Sequence, residues 1–227
     1  MTLNRRDLIL GAGSALALTG LSAAPAAAAT AERVFKAYRG RKHVGGQILT
    51  VTRSGTKTSV RLQTELQDRF LVWSIRYKLD STEIWKNGVL QSIKSSTVEN
   101  DTRDYVNARR TGAGLEIDGS RFSGVVGGNP ASSSFFVPEI AMRTTWISTQ
   151  SGKPFQVGAR PAGKTRFETG SGAVTCTKYE CAGQLKIPVD AYFTEDAELA
   201  GYVAHIKSLK VRSIAQSMDQ KLAPLWA

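Results

Sequence analysis

The chain has 227 residues, a formal net charge of +11, two cysteines and two histidines. This length allows one domain with a sizeable core, and all-β folds commonly use it in a single piece. A basic surface favours anionic partners such as lipid headgroups, acidic glycans or nucleic acid. The scarcity of histidine and cysteine argues against a metal centre, so we expect neither a metal nor a cofactor.

The first 29 residues have the pattern of an export signal. Arg5 and Arg6 precede a mildly apolar stretch, and small residues follow as far as Ala29. The segment Asn4 to Leu10 resembles the twin-arginine export motif, although Leu10 stands where that motif often has lysine, so general secretion remains an alternative. The apolar run is too short and too glycine-rich to span a bilayer. We therefore predict a signal peptide over residues 1–29 and a periplasmic or secreted bacterial protein; an uncleaved N-terminal anchor is the other reading.

Removing those 29 residues takes away two arginines and one aspartate, so the remaining 198 residues carry +10. The basic residues alternate with acidic and hydroxyl residues instead of forming one block, which is typical of a solvated β-surface. No later segment is long enough to cross a membrane, so we expect no transmembrane segment in the mature chain. The exported address disfavours nucleic acid as a partner. A lipid or another anionic component of the envelope is the partner that we expect.

Strand patterns dominate the sequence after the signal. Val34 to Tyr38, Gln47 to Thr52 and Thr58 to Leu66 alternate apolar and polar residues, as strands with one buried face do. Asn87-Gly88 between apolar arms predicts a tight hairpin. Regularly spaced turn residues favour an antiparallel meander. We predict one all-β domain over residues 30–227, a highly curved antiparallel sheet that forms a half-barrel or barrel.

One region, from Gly124 to Ser148, breaks the strand pattern. Gly124 to Ser134 is rich in glycine and serine, and leads into Phe135 and Phe136; it is either a lid over a cavity or a connection that packs the barrel shut. Glu139 to Ser148 is predicted to form one short helix. The tail from Ile214 to Leu222 is a second helical candidate.

Cys176 and Cys181 are separated by four residues. In an oxidising compartment two cysteines that flank a short turn indicate a disulfide, provided that they end paired strands at the Cα separation of about 4.4–6.8 Å that the bond requires. Two free thiols, or metal or redox work, are the alternatives. We predict the Cys176–Cys181 disulfide.

The sequence offers few groups for catalysis. A hydrolytic triad would have to use His43 or His205, and each is followed by an apolar strand residue, as structural or surface histidines often are. Many carboxylates lie near turns, where acidic residues are expected, and no pair stands out for glycoside hydrolysis. We therefore assign no catalytic, cofactor-binding or metal-binding residue and expect a protein that is not an enzyme.

The block around the Asn87-Gly88 hairpin resembles a family of exported bacterial all-β proteins of unknown function. The resemblance lies in Glu83 to Leu90, with the pattern E-x-W-x-x-G-x-L, and in Ser95 to Asn100, Val106 to Ala108 and Gly114 to Gly119. The opening hairpin from Val34 to Gly45 also looks like that family. The resemblance implies a curved antiparallel sheet similar to the periplasmic lipoprotein carriers, and brings no activity or catalytic residues.

Three functions follow as hypotheses. The first is a non-enzymatic periplasmic binding or carrier protein for a lipid or other amphiphile, because a curved sheet of this size can hold a cavity. The second is a structural or interaction protein of the envelope, and the third is an envelope hydrolase. Aromatic residues in strands or beside the glycine-rich loop are the candidate ligand contacts: Trp73, Trp85, Phe135, Phe136 and Trp146.

Overall fold

A computed structural model describes residues 28–70, 73–206 and 209–226, except for the side chains of Phe70 and Trp73. The predicted signal peptide, apart from Ala28 and Ala29, lies outside the described residues. Within these ranges, no helix has the length and apolar character needed to span a bilayer.

Within the described ranges, fifteen strands and one short helix make up the fold. The first eight strands are β1 (Ala29–Arg39), β2 (Lys42–Ser54), β3 (Lys57–Phe70), β4 (Trp73–Lys86), β5 (Val89–Glu99), β6 (Thr102–Thr111), β7 (Gly114–Gly119) and β8 (Phe122–Val126). The remaining elements are β9 (Ala131–Ser132), α1 (Pro138–Ala141), β10 (Thr145–Ile147), β11 (Pro154–Thr169), β12 (Gly172–Gly183), β13 (Val189–Phe193), β14 (Leu199–Ile206) and β15 (Leu209–Ala215). A single 3-10 turn, Ala223–Leu225, lies near the end of the chain.

All fifteen strands join one curved sheet. Strands β1 to β8 follow one another in chain order, β1 pairs with β15, and the order then runs backwards from β15 to β9. Every pairing is antiparallel except that of β9 with β10. The prediction of a curved antiparallel meander with one short helix is confirmed.

The predicted Asn87-Gly88 hairpin is present between β4 and β5. Asn87 has φ 49° and Gly88 has φ 69°. These positive values suit the two central residues of a type I′ turn, which asparagine and glycine tolerate best. Lys86 pairs with Val89 directly across the turn.

The main core lies on the inner face of the curved sheet. Side chains alternate between buried and exposed along β1, β5 and β6 because successive strand residues point to opposite faces. Residues 129–153, here called the plug segment, pack against this inner face. Ser95 Oγ donates to the Thr149 carbonyl, and Gln150 Nε2 donates to Glu99 at 2.9 Å. The glycine-rich connection therefore leads into a segment that covers the inner face of the curved sheet.

The predicted helix over Glu139–Ser148 is wrong in extent. The helix is α1, four residues long, and β10 follows it. Trp146 lies in β10 and pairs with Ala131 on one side and Phe155 on the other. Strand pairing with these distant residues takes the place of the helical hydrogen bonds.

The C-terminal tail, residues 217–226, covers one end of the main core without forming the predicted helix over Ile214–Leu222. Its backbone is held by side chains of the body: Glu198 accepts from the amides of Leu222 and Ala223 at 3.0 and 3.1 Å, and Thr58 Oγ1 donates to Leu225 at 2.9 Å. Arg33 binds Glu198 at 3.0 Å, and both side chains are fully buried. The tail is therefore held by a buried ion pair.

The structure corrects the predicted disulfide. Cys176 and Cys181 are free, buried thiols in the single strand β12. Five residues of extended strand span about 16 Å, well beyond disulfide reach, and an odd spacing turns the two side chains to opposite faces. Cys181 belongs to the main core, whereas Cys176 belongs to a separate small cluster with Phe167, Ala200 and Val203.

Candidate functional site

The residues predicted to contact a ligand are largely core residues. Trp85, Phe136 and Trp146 are buried in the main core, and Phe135 packs against its edge. Phe135 contacts Trp146 at a ring-centroid distance of 5.3 Å. The side chain of Trp73 lies outside the described part of the chain. The four described aromatic residues thus pack against other side chains of the protein, and their role as ligand contacts stays a prediction.

An open groove lies on the opposite face of β11 to β15, above the small cluster. Its volume is about 490 Å³. Four basic residues and one acidic residue border it, and its floor is apolar. Lys178 and Arg212 lie on the same sheet face as the floor. Lys164, Arg166 and Glu168 alternate with Phe167 along β11, so their side chains start from its other face. We call it the basic groove, and its charged and aromatic lining is Lys164, Arg166, Phe167, Glu168, Lys178, Tyr192 and Arg212.

Strand register brings these side chains together. Lys178 on β12 lies opposite Tyr192 on β13, and Val203 on β14 lies opposite Arg212 on β15. Directly opposed residues share one face of a sheet, so all four point into the groove. β11 reaches the same place through a register shift between Pro161 and Lys164.

A close aromatic pair forms the floor of the groove. The Phe167 and Tyr192 rings stack with centroids 4.3 Å apart and an interplanar angle of 26°. Gly201 permits this arrangement, because a Cβ at that position would lie 2.6 Å from the Phe167 ring. The floor therefore offers a flat apolar surface beside the cations Lys178 and Arg212.

The cations of the groove differ in how far they are neutralised. Lys178 Nζ binds Glu180 at 3.0 Å and Asp190 at 3.2 Å, and these hydrogen bonds raise its pKa above the ordinary value. Among the described residues, Lys164, Arg166 and Arg212 form no ion pair with an acidic side chain. Of these three, Arg212 lies on the sheet face that carries the Phe167–Tyr192 floor, so it is available to an anionic ligand there.

Of the two histidines, one contacts an acidic residue. His205 Nε2 lies 2.9 Å from Asp190 Oδ2, while His43 packs against the ring of Tyr38 at 5.4 Å. In the described chain, His205 has no hydroxyl or thiol as a hydrogen-bond partner. Burial raises the pKa of the Cys176 thiol to about 11, which keeps it protonated at neutral pH. This arrangement lacks an activated nucleophile.

No constellation for a metal ion stands out in the described ranges: no three residues among histidine, cysteine, aspartate and glutamate lie close enough together to hold one. The groove lining is instead rich in lysine and arginine, which bind anions through charge-assisted hydrogen bonds. The chemistry that this arrangement supports is the binding of an anion beside an apolar group.

Comparison with protein families identifies the family of this chain. Residues 35–215 match a domain of unknown function, DUF6134. The chain belongs to this family. The match includes the whole E-x-W-x-x-G-x-L hairpin and every residue that lines the basic groove. No curated protein matches the sequence.

Solved structures share the fold of this DUF6134 member. A β-barrel-like protein of the domain of unknown function DUF1849 from Brucella abortus superposes with a TM-score of 0.58 and 7% sequence identity. The match covers 81% of this chain and 94% of that one. At this identity the likeness concerns the fold alone.

The sequence does not predict the groove because its residues are spread over five strands and more than 40 residues. The local signal is Lys164-Thr165-Arg166-Phe167, where two cations precede an aromatic residue in a strand. Its partners on β12, β13 and β15 depend on the register of the sheet, which no local pattern specifies.

Proposed function

We propose that this protein is a non-enzymatic binding or carrier protein of the bacterial periplasm for an amphiphile with an anionic head. The observation that carries the proposal is the basic groove, where Lys178 and Arg212 share one sheet face with the Phe167–Tyr192 floor. In the part of the chain that the structure describes, Arg212 forms no ion pair with an acidic side chain. The head would lie among the cations, and the adjoining apolar part would contact the stacked rings. Ligand sites commonly combine an apolar surface with a few placed polar groups in this way.

The groove is a better candidate than the interior of the sheet. Phe136 and Trp146 belong to the plug segment and fill the interior together with Trp85. Trp226 of the tail packs on Trp85 and Phe136. A ligand at the groove requires no displacement of these segments. The net positive charge of the chain would also attract anionic surfaces and ligands from a distance.

Native mass spectrometry of protein purified from its own cell envelope is the first test. We expect a stoichiometric adduct that organic extraction identifies as an anionic amphiphile. A second test measures sedimentation with vesicles of phosphatidylglycerol and phosphatidylcholine against pure phosphatidylcholine. We expect binding to the anionic vesicles only.

Charge reversal locates the site in the same assay. Each basic residue near an anionic lipid surface contributes about 1 kcal/mol, so Arg212→Glu should weaken vesicle binding by about tenfold or more. Lys94→Glu is the matched control, because Lys94 is an exposed strand residue away from the groove. Equal losses in both variants would show diffuse attraction and would remove the groove as the site.

An interaction protein of the envelope is the second candidate, and one observation favours it. Val34 on β1 and Ile48 on β2 are paired across the strands and are 40% and 38% exposed. Such a patch could contact another protein. A ligand-free mass together with no vesicle binding would move the proposal to this function.

A further inference from the structure

In the E-x-W part of the hairpin motif, the Glu83 carboxyl group points into the protein interior. Glu83 and Trp85 are two residues apart on β4 and therefore share its inner face, where both are buried. Trp85 Nε1 donates to Glu83 Oε2 at 3.0 Å, and Ser132 Oγ of the plug segment donates to the same oxygen at 2.8 Å. The motif thus ties the sheet to the plug segment.

Three polar atoms around this carboxyl have no hydrogen-bond partner within the described protein. They are Glu83 Oε1, Ser81 Oγ and Ser134 Oγ. All three side chains are at least nine-tenths buried. A buried polar group without a hydrogen-bond partner destabilises the folded state, and such groups are rare in folded proteins. Three of them close together therefore call for a common partner.

The three atoms come from two segments that converge. Ser81 precedes Glu83 by two residues on the same face of β4. Ser134 follows Ser132 by two residues, and its amide donates to Ser132 Oγ at 3.3 Å. Ser132 in turn binds the Glu83 carboxyl, so the plug segment carries Ser134 towards the same point.

The hydrogen-bonding capacity of these three atoms indicates what kind of partner they can bind. Burial raises the pKa of Glu83 to about 7, although the nearby donors Ser132, Ser134 and Trp85 oppose that rise. Ser134 Oγ thus lies close to the carboxyl, but no hydrogen bond of normal geometry joins the two groups. No basic side chain of the described chain binds the carboxyl; the Arg143 guanidinium lies over the Trp85 ring, 5.3 Å from its centroid. A partner must donate to a carboxyl oxygen and exchange hydrogen bonds with two hydroxyls. Water does both, and buried waters typically have two to four such polar partners.

We propose that Glu83, Ser81 and Ser134 form an internal hydration site, in which at least one ordered water bridges Glu83 Oε1 and the serine hydroxyls. The water completes the hydrogen bonding of the E-x-W motif between the sheet and the plug segment. Trp226 closes the site from the tail side, since its ring packs on Trp85 at 4.9 Å and on Phe136 at 5.5 Å. This site is separate from the basic groove.

A high-resolution crystal structure of the protein tests this directly. We expect density for water within hydrogen-bond distance of Glu83 Oε1 and of at least one of the two serine hydroxyls. A direct hydrogen bond between Ser134 and Glu83 with no water beside them would overturn the proposal. Density for a larger bound molecule would overturn it as well.

Water–protein nuclear Overhauser measurements give an independent test in solution. The indole N–H of Trp85, assigned with the Trp85→Phe variant, should show a contact with long-lived water. The indole N–H of Trp146 is the matched control, because it donates to the Arg143 carbonyl at 2.9 Å and lies outside the site. Ser134→Ala should weaken the Trp85 signal by at least twofold. Equal water signals at both indoles, or none at Trp85, would contradict the site.

Discussion

The two faces of the sheet over β11–β15 differ in burial and therefore in what their side chains can bind. One face contributes to the large main core, where the plug segment and the tail cover aromatic residues and hold Glu83 out of water. The other face carries only a small cluster, and cations remain exposed above it. Polar groups on the covered side must find partners inside the protein, whereas those above the small cluster are available to a ligand.

The largest expected effects compare the two clusters directly. Phe136→Ala removes a fully buried ring that packs on Trp226, and should cost about 3–5 kcal/mol of unfolding free energy. Phe167→Ala should cost less, because its smaller cluster lies beside open space and can relax. Urea denaturation of both variants checks the order, with Val125→Ala, a strand residue that is 51% exposed, as the control. A larger loss for Phe167→Ala would contradict the division into a main and a minor core.

The buried ion pair that holds the tail should matter almost as much. Arg33→Ala leaves Glu198 buried without its cation, and breaking a buried pair in this way costs about 3–5 kcal/mol. Arg61→Ala is the matched control, because Arg61 and Asp80 form an exposed pair whose expected contribution is about 0–1 kcal/mol. Chemical denaturation of the two variants measures the difference. Similar small losses would mean that the tail is held by its apolar contacts instead.

The pH dependence of stability should report on Glu83. Its pKa rises from 4.5 to about 7 on folding, so the folded protein favours the protonated carboxyl. The resulting stabilisation is complete below about pH 4.5 and is lost as the pH rises through 7, by about 3 kcal/mol in total. Urea midpoints measured between pH 5 and 8 should therefore fall with pH in the wild type. Glu83→Gln should abolish that slope, and an unchanged slope would rule out Glu83 as its source.

What the sequence predicts about this fold is mostly what neighbouring residues decide. The alternation in β1 and the Asn87-Gly88 turn depend on local geometry, and both are present in the structure. The segment around Trp146 was predicted as helix because its apolar spacing suits either structure. Pairing with Ala131 and Phe155 decides in favour of a strand, and those partners are remote in sequence.

The candidate sites likewise depend partly on local sequence and partly on contacts between residues that are distant in sequence. Trp85 stands out in the sequence as an aromatic residue in a clear hairpin, but its role depends on Glu83 and on Ser132 from the plug segment. The prediction of a disulfide relied on a turn between Cys176 and Cys181 that the continuous strand β12 replaces. The basic groove depends on five strands in register. The sequence thus indicates which residues are unusual, and the register of the sheet determines which residues they contact.

The smallest effect on stability is expected in the groove itself. Arg212 is exposed and, in the described chain, forms no ion pair with an acidic side chain, so Arg212→Ala should change the unfolding free energy by no more than about 0.5 kcal/mol. The same variant should weaken binding to phosphatidylglycerol vesicles by about fivefold, the loss expected for one basic residue at an anionic surface. Parallel denaturation and sedimentation measurements separate the two effects. A variant with unaltered stability and unaltered binding would leave the cations of the groove without a role in ligand capture, whereas a loss of binding alone would show that this exposed face serves recognition instead of folding.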